Sequence, residues 1–330
     1  MSPARSWRVF GPSILALSLG LAAAGGTGTA RAADAWPVKP IHFIVPFTAG
    51  GANDLMARAA AEGVATALHQ QVIVENKPGA GTMLGTAFVA RAPADGYTLL
   101  VSSAGVVSNS LIRDRVPYKD SDLTPVALIA LAPSIVVAPA DAPYNDLKDF
   151  VAASKAGKGK LFATAGTGST PHFVAGLLSS QYGAQLEVVP YKSGSESVTA
   201  VLGGQVDATS EASIVVLPYL KSGKLKALAD AWSTRVSAYP ALSTAVEQGY
   251  PAIRIAHWAG LHAPAGTPPG VLDTIAAAVD AAMKTPAIAL RLKTVGIEPG
   301  GGTRAAFAQF IDEERERLGA VVKSTHMKAD

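Results

Sequence analysis

Two glycine-containing loops, each placed between a predicted strand and a predicted helix, carry the residue types that bind anions. The first runs from Pro46 to Asp54 around Gly50-Gly51, and the second runs from Ala163 to His172. A helix N-terminus presents unpaired backbone N–H groups and about half a positive charge, and glycine lets a ligand approach them closely. We expect a carboxylate there. The candidate ligand-binding residues of these loops are Phe47, Thr48, Ala49, Gly50, Gly51, Asp54, Gly166, Thr167, Gly168, Ser169 and His172.

Each loop also has a purely structural interpretation. Two glycines before Asn53-Asp54 are equally typical of a turn followed by a helix N-cap, with Asp54 as the cap. In the second loop, Ser169 or Thr170 would cap a helix whose first turn contains Pro171. This loop is not a phosphate-binding P-loop, because no Gly-Lys-Ser/Thr follows at the required spacing. Two donor-rich loops from separate parts of the chain suggest a clamp.

Four further residues are candidates for the same site. Ser102 and Ser103 follow a third predicted strand and could add hydroxyl donors, although a polar turn explains them as well. Lys192 could bring a positive charge, or be solvated like most lysines. Asp207 falls within a predicted apolar strand, where it could orient donors or receive a ligand amine or a water. A helix cap or a salt bridge between lobes is its structural alternative.

An exported hydrolase is the main alternative from another functional class, with Ser169 or Ser195 as nucleophile and His172 as base. Ser169 and His172 fall at one predicted helix start, and no Gly-x-Ser-x-Gly motif is present, so we predict no catalytic residue. The six histidines are scattered, and only His257 and His262, which flank Trp258 in a probable strand, have the spacing of metal ligands; we expect a structural role for each histidine. We therefore predict neither a metal site nor a cofactor.

The elements that must position these loops alternate between β-rich runs and helical patterns, which is typical of βαβ units with largely parallel sheets. Apolar runs at Leu128–Ala138 and Arg254–Leu261 are candidate crossings between two lobes. We predict that residues 33–133 with 256–330 form lobe 1 and that residues 134–255 form lobe 2. The predicted strands are Ile41–Val45, Gln71–Glu75, Tyr97–Ser102, Ser134–Ala138, Leu161–Thr164, Leu186–Pro190, Gln205–Thr209 and Leu225–Asp230. Phe307, Phe310, Ile311, Leu318 and Val321 form the predicted apolar face of a C-terminal helix.

Residues 1–32 have the order of a cleavable signal peptide, with Arg5 and Arg8, an apolar stretch, and Ala30-Arg31-Ala32. A membrane anchor is the alternative, but the apolar stretch is short of the roughly 20 residues that a spanning helix needs. Cleavage would leave 25 basic residues against 25 acidic ones, a balance that gives no support for a nucleic-acid-binding surface. The chain has no cysteine for lipid attachment or a disulfide. We predict a free periplasmic protein.

Several motifs follow one another along the whole predicted mature chain: Lys39–Ile41, Ile44–Gly51, Glu75–Gly81, Asp95–Leu100, Gly166–Ser169, Val189–Lys192, Leu202–Asp207 and Gly260–Thr267. In these motifs the sequence resembles the Bug family, the TctC-like receptors of tripartite tricarboxylate transporters. The resemblance implies a two-lobed α/β periplasmic-binding-protein fold, type II-like. Each lobe would be a mainly parallel sheet flanked by helices, with the ligand in the cleft between lobes.

The resemblance also implies a function. The protein would be a monomeric solute-binding protein that closes around a dicarboxylate, tricarboxylate or aromatic carboxylate and serves inner-membrane transporter subunits. A receptor that reports ligand to a membrane signalling partner shares the fold and is the alternative. The sequence departs from the family pattern at Thr82, at Pro171 and over Ser193–Ser197, and there we expect the determinants of ligand choice.

Overall fold

The computed structural model describes residues 36–329, in which strands and helices alternate. The strands are β1 (Ile41–Val45), β2 (Val72–Asn76), β3 (Thr98–Ser102), β4 (Leu123–Pro139), β5 (Lys160–Thr164), β6 (Leu186–Pro190), β7 (Ala208–Ala212), β8 (Leu225–Asp230), β9 (Ala256–Pro264) and β10 (Glu298–Gly301). The helices are α1 (Ala52–Leu68), α2 (Met83–Ala90), α3 (Gly105–Ile112), α4 (Leu147–Lys155), α5 (Thr170–Tyr182), α6 (Gly194–Leu202), α7 (Ser213–Lys221), α8 (Pro269–Lys284), α9 (Pro286–Thr294) and α10 (Arg304–Thr325).

The strands join in one mixed sheet with the order β2-β1-β3-β9-β4-β7-β5-β6, and β8 and β10 also pair with β4. β1 is parallel to β2 and β3, and β5 is parallel to β6 and β7. β4 and β9 are antiparallel to each other and to the strands beside them. Parallel strands connected by helices confirm the α/β class that the alternation predicts.

β4 connects the two groups of parallel strands. Its residues from Leu123 to Pro133 pair with β9, whereas those from Ser134 to Val137 pair with β7. The two predicted crossings overlap with β4 and β9, the two longest strands in the described part of the chain. The pairing partner of β4 changes at the predicted first boundary, after residue 133, and the lobe boundaries themselves stay a prediction.

One strand was predicted at the wrong place. The segment Gln205–Thr209 is mostly not a strand, because a turn closes the end of α6: the N–H groups of Gly204 and Gln205 donate to helix carbonyls at 3.0 and 2.9 Å. Such a turn uses the backbone groups that a sheet would need. β7 therefore begins three residues later than predicted, at residue 208. Asp207 lies before the strand, and Glu211 lies within it.

The two longest helices are anchored by their buried faces. α1 packs against α8 so closely that a Cβ on Gly63 would lie 2.5 Å from the Cβ of Ala282, and this contact holds α1 in place behind the first loop. α10 covers Trp258 of β9, whose ring centroid lies 6.2 Å from that of Phe307 and 5.4 Å from that of Phe310. The predicted apolar face of α10 is confirmed, with Phe307, Ile311, Leu318 and Val321 buried.

The predicted signal peptide, residues 1–32, lies outside the described residues. A helix needs about 20 mostly apolar residues to cross a bilayer. None of the helices between residues 36 and 329 meets that requirement of length and hydropathy.

Candidate functional site

Five helices begin at one cavity. The N-cap residue of α1, α2, α3, α5 and α6 lines it in each case. The N-caps Gly51, Thr82, Ala104 and Ser169 make no side-chain capping hydrogen bond. First-turn N–H groups lack intrahelical acceptors, so these helix ends can donate to an anion. The cavity is lined by Phe47, Gly51, Ala52, Asn53, Gly81, Thr82, Ser103, Ala104, Gly105, Ala165, Thr167, Gly168, Ser169, Thr170, Pro171, Ser193, Gly194, Glu211, His257 and Trp258.

The first loop takes its shape from Asp54, which is buried beneath it. The carboxylate accepts hydrogen bonds from the N–H of Gly50 at 3.0 Å, from Arg58 at 2.9 and 3.0 Å, and from Asn76 at 3.0 Å. Burial alone would raise the pKa of Asp54, but these hydrogen bonds and the charge of Arg58 lower it. Gly50 has a φ of 82°, a conformation that favours glycine. Asp54 therefore holds the loop in place while Gly51 faces the cavity.

The second loop takes its shape from His172 in a similar way. Nδ1 of His172 accepts a hydrogen bond from the N–H of Gly168 at 3.0 Å, which requires a neutral ring nitrogen. Burial lowers the pKa of His172 to about 4, so the ring is neutral at physiological pH. The hydroxyl of Ser108 donates to the carbonyl of Gly168 at 2.9 Å and ties the loop to α3. His172 thus positions the loop from behind.

The same contacts decide against the hydrolase interpretation. The hydroxyl of Ser169 donates to the carbonyl of Gly166 at 2.6 Å, and Nδ1 of His172 is engaged by the N–H of Gly168. A serine nucleophile needs a base within hydrogen-bond reach. No such bond joins Ser169 to His172 among the contacts of the described residues.

The structure brings together six of the predicted ligand-binding residues. Thr48, Ala49, Gly50 and Asp54 lie in the first loop but not at the cavity surface. Gly166 and Lys192 line an adjoining depression together with Pro46 and Tyr191. The six residues that line the cavity are Phe47, Gly51, Ser103, Thr167, Gly168 and Ser169.

Ser102 and Asp207 make other contacts. The Ser102 hydroxyl donates to the carbonyl of Gly260 at 3.0 Å and lies 2.8 Å from Nδ1 of His262. Asp207 forms an ion pair with Lys160 at 2.9 Å and accepts a hydrogen bond from the N–H of Leu161 at 2.8 Å. Both side chains therefore join strands to one another, and neither lines the cavity.

The sequence analysis named Thr82, Pro171 and Ser193 as positions of ligand choice without including them among the predicted ligand-binding residues, and all three line the cavity. Glu211 and Asn53 were missed. Glu211 was missed because the predicted strand began three residues too early, so that it contained Asp207 and ended before Glu211. Asn53 joins β3 and β9, donating to the carbonyls of Ser102 at 3.4 Å and Trp258 at 3.0 Å.

The titratable groups of the cavity are uncharged near neutral pH. Only Glu211 and His257 among its lining residues carry a carboxyl or imidazole group, and no lysine or arginine of the described chain lines it. Burial raises the pKa of Glu211 to about 8. Burial also lowers the pKa of His257 to about 3, against a smaller opposite effect of the Ser210 carbonyl. The positive potential of the cavity therefore comes from the helix N-termini. Between residues 36 and 329, no group of three or more His, Cys, Asp or Glu side chains is arranged to hold a metal ion.

Comparisons with known proteins agree with one another. Residues 56–327 match the family described as "Tripartite tricarboxylate transporter family receptor". Protein BugT of Bordetella pertussis is 35% identical over 311 residues, covering 93% of this chain and 95% of that protein. The structure of MatC from Rhodopseudomonas palustris with bound malate has a TM-score of 0.82 at 31% identity, covering 87% of this chain and 99% of that one. R. palustris Rpa4515 with adipate has a TM-score of 0.85 at 27% identity, covering 89% and 99%.

Proposed function

Because the chain belongs to the receptor family of the tripartite tricarboxylate transporters, a family of periplasmic solute-binding proteins and not of enzymes, we propose that it captures a small organic carboxylate. The captured acid would pass to the inner-membrane subunits of such a transporter. Similar proteins have been solved with malate and adipate. We further propose that the protein acts as a monomer in the periplasm after cleavage of residues 1–32.

The convergence of five helix N-termini on a single cavity is the observation that carries this proposal. Each N-terminus favours an anion by about 0.3–1 kcal/mol when exposed and by more when partly buried. A cation would be disfavoured in the same field. Backbone N–H groups also hold a planar carboxylate without a competing lysine or arginine, so desolvation of a protein charge does not oppose binding.

We propose that the direct contacts come from the six predicted residues that line the cavity. Gly51 and Ser103 would act from lobe 1, and Thr167, Gly168 and Ser169 from lobe 2. Asp54 and His172 would act by holding the two loops in shape. Their hydrogen bonds to the N–H groups of Gly50 and Gly168 support that division of roles.

Ligand capture would proceed by closure of the two lobes. The cavity is lined from both predicted lobes, so a bound acid makes its full set of contacts only when they approach each other. A ligand that binds the closed state better shifts the population toward it. β4 and β9, which run through the predicted boundary, are the strands that would bend.

A thermal-shift screen of the protein purified from the periplasm tests the proposal. The screen would include malate, adipate, citrate and benzoate, with the ammonium compounds choline and putrescine as controls. An acid present at about 100 times its Kd adds roughly 2.7 kcal/mol to the free energy of unfolding and raises the melting temperature accordingly. Stabilisation by the ammonium compounds but by none of the acids would contradict the proposal.

A further inference from the structure

Glu211 is a buried carboxyl group at the cavity whose hydrogen-bonding capacity is not satisfied by the protein. The residue is 2% exposed and lines the cavity from β7. Its Oε1 has no hydrogen-bond partner among the described residues, and its Oε2 lies 4.0 Å from Nε2 of His257. Buried polar atoms are almost always paired, so an unpaired oxygen beside a cavity points to a partner that arrives with the ligand.

The side chains that line the cavity offer Glu211 no positive charge. From β9 comes His257, whose Nε2 lies 3.1 Å from the Ser134 hydroxyl of β4, and that hydroxyl lies 2.7 Å from the hydroxyl of Ser210. From α6 comes Gly194, where a Cβ would overlap with the carboxyl group of Glu211. Among the residues that line the cavity, His257 is the only other titratable group, and burial keeps it neutral. An ionised Glu211 would therefore have no cationic side chain as a partner, and the backbone N–H of Ala212, which lowers its pKa, offsets only part of the cost of burial.

We propose that Glu211 is a specificity-determining residue that, as a neutral acid, donates a hydrogen bond to a second carboxylate of the bound ligand. The proposal rests on the proposed function, and it assigns the ligand to the dicarboxylates. The helix N-termini hold one carboxylate through backbone N–H groups, and the Glu211 O–H meets the other. A hydrogen bond from a neutral acid to a carboxylate is charge-assisted and roughly twice as strong as one between neutral groups.

The geometry distinguishes a dicarboxylate from two other classes of ligand. A monocarboxylic acid would leave the Glu211 O–H unpaired, at a cost in affinity. A ligand ammonium group would require Glu211 to ionise and would enter a site where several helix N-termini already create a positive potential. The raised pKa of Glu211 agrees with the neutral form at physiological pH.

Proton linkage follows from the proposal. Because the ligand binds only when Glu211 carries its proton, affinity for a doubly ionised dicarboxylate is constant below the pKa of Glu211 and falls once the pH exceeds it. The decline approaches about tenfold per pH unit. His257, neutral throughout this range, does not contribute to it.

Isothermal titration calorimetry from pH 6 to pH 9.5 tests the proposal, with malate and adipate as probes. Hexanoate and 6-aminohexanoate have the six-carbon chain of adipate. They carry a methyl group and an ammonium group, respectively, at the end where adipate has its second carboxylate. Glu211→Gln keeps a neutral hydrogen-bond donor, and we expect it to bind dicarboxylates without the loss at high pH. Glu211→Leu removes the donor, and we expect about 10- to 100-fold weaker binding of dicarboxylates with little change for hexanoate. Glu187→Gln, on the exposed surface of β6, is the matched control.

The outcomes separate this proposal from the one on which it rests. Dicarboxylate binding whose pH dependence is the same in Glu211→Gln and the wild type overturns the role of Glu211 and leaves the proposed function intact. Tighter binding of 6-aminohexanoate than of adipate, lost in Glu211→Gln, overturns it in favour of an ionised carboxylate. Failure of the wild-type protein to bind any of these acids, or citrate or benzoate from the thermal-shift screen, contradicts the proposed function itself.

Discussion

At the scale of single residues, some residues of the site line the cavity, and others hold the two loops in shape. Gly51 and Gly50 are neighbours with different roles. Gly50 requires glycine because its φ is 82°, whereas Gly51 has a φ of −78°, which any residue adopts. A Cβ on Gly51 would meet only the carbonyl of Thr48 at 3.6 Å, an ordinary contact. The backbone at Gly51 therefore does not require glycine, and we propose that the absence of a side chain there keeps the cavity accessible.

We expect Gly51→Val to abolish carboxylate binding while leaving the fold unchanged. The new side chain would stand over the N-terminus of α1 and block approach to its N–H groups. Calorimetry with the acid selected by the thermal-shift screen should show at least about 100-fold weaker binding, equivalent to about 2.7 kcal/mol. The matched control is Gly270→Val, because a Cβ at Gly270 meets nothing within 4 Å. Unchanged affinity in Gly51→Val would remove the first loop from the site.

Glu211 also makes stability depend on pH, independently of any ligand. The carboxyl group ionises near its ordinary pKa of 4.5 in the unfolded chain but near 8 in the folded protein. Between these values the folded state holds more protons, so this group lowers stability as pH rises, by at most about 1.4 kcal/mol per pH unit. Glu211→Gln removes this dependence. Urea unfolding at pH 5, 6, 7 and 8 should therefore show that the free energy of unfolding of the variant, relative to that of the wild type, increases at each step. A difference that stays constant with pH would contradict burial of the acid.

At the scale of secondary-structure elements, the first turn of α1 depends on one ion pair. Asp54 is 3% exposed in its side chain, and its partner Arg58, one turn later, is 51% exposed. The carboxylate also accepts hydrogen bonds from the loop before the helix and from β2. Loss of this group would leave a cation and two donors without their acceptor, and the loop between β1 and α1 would lose its shape.

We expect Asp54→Ala to lower the free energy of unfolding by about 2–4 kcal/mol and to weaken ligand binding as well. Urea denaturation measures the first effect and calorimetry the second. Asp273→Ala is the matched control, because the Asp273 side chain is 67% exposed in its ion pair with Arg304 and such pairs contribute about 0–1 kcal/mol. Equal losses of stability in the two variants would show that Asp54 does not organise the loop.

At the scale of the whole molecule, the long strands β4 and β9 lie where the two groups of parallel strands meet, and we propose that they bend when the cavity closes. Both contribute to the region where the two groups of parallel strands meet, and His257 and Trp258 of β9 line the cavity there. Trp258 is held from behind by α10, since its indole Nε1 donates to Glu314 at 3.0 Å. Packing of α10 behind β9 and a cavity lined from both groups of strands are consistent with the hinge closure that we propose.

We expect closure to be measurable by small-angle X-ray scattering. Addition of the acid selected in the thermal-shift screen should reduce the radius of gyration of the wild-type protein, because the closed state makes more contacts with the ligand. The same addition should leave Gly51→Val unchanged, while Gly270→Val should respond as the wild type does. An unchanged radius in the wild type, at a ligand concentration that saturates binding by calorimetry, would contradict hinge closure.

The sequence alone determined the α/β class, most of the strands, the two loops that we propose bind the anion, and the family. These features are local, because they depend on residues that are close in sequence: the periodicity of strands and helices, a glycine at a turn, and motifs of a few residues. Thr82, Pro171 and Ser193, where the sequence departs from the family pattern, also line the cavity.

Only the tertiary structure decided which residues meet. Asp54 and His172 belong to the right loops but turn away from the cavity, because backbone N–H groups of those loops compete for their side chains. Glu211 and His257 are 46 residues apart in sequence and are brought together by β4, which pairs with both of their strands. Contacts of this kind depend on the bounds of each strand: the predicted strand contained Asp207 and ended before Glu211, whereas β7 begins after Asp207 and contains Glu211. The chemistry of the cavity follows from burial, which no local pattern in the sequence records.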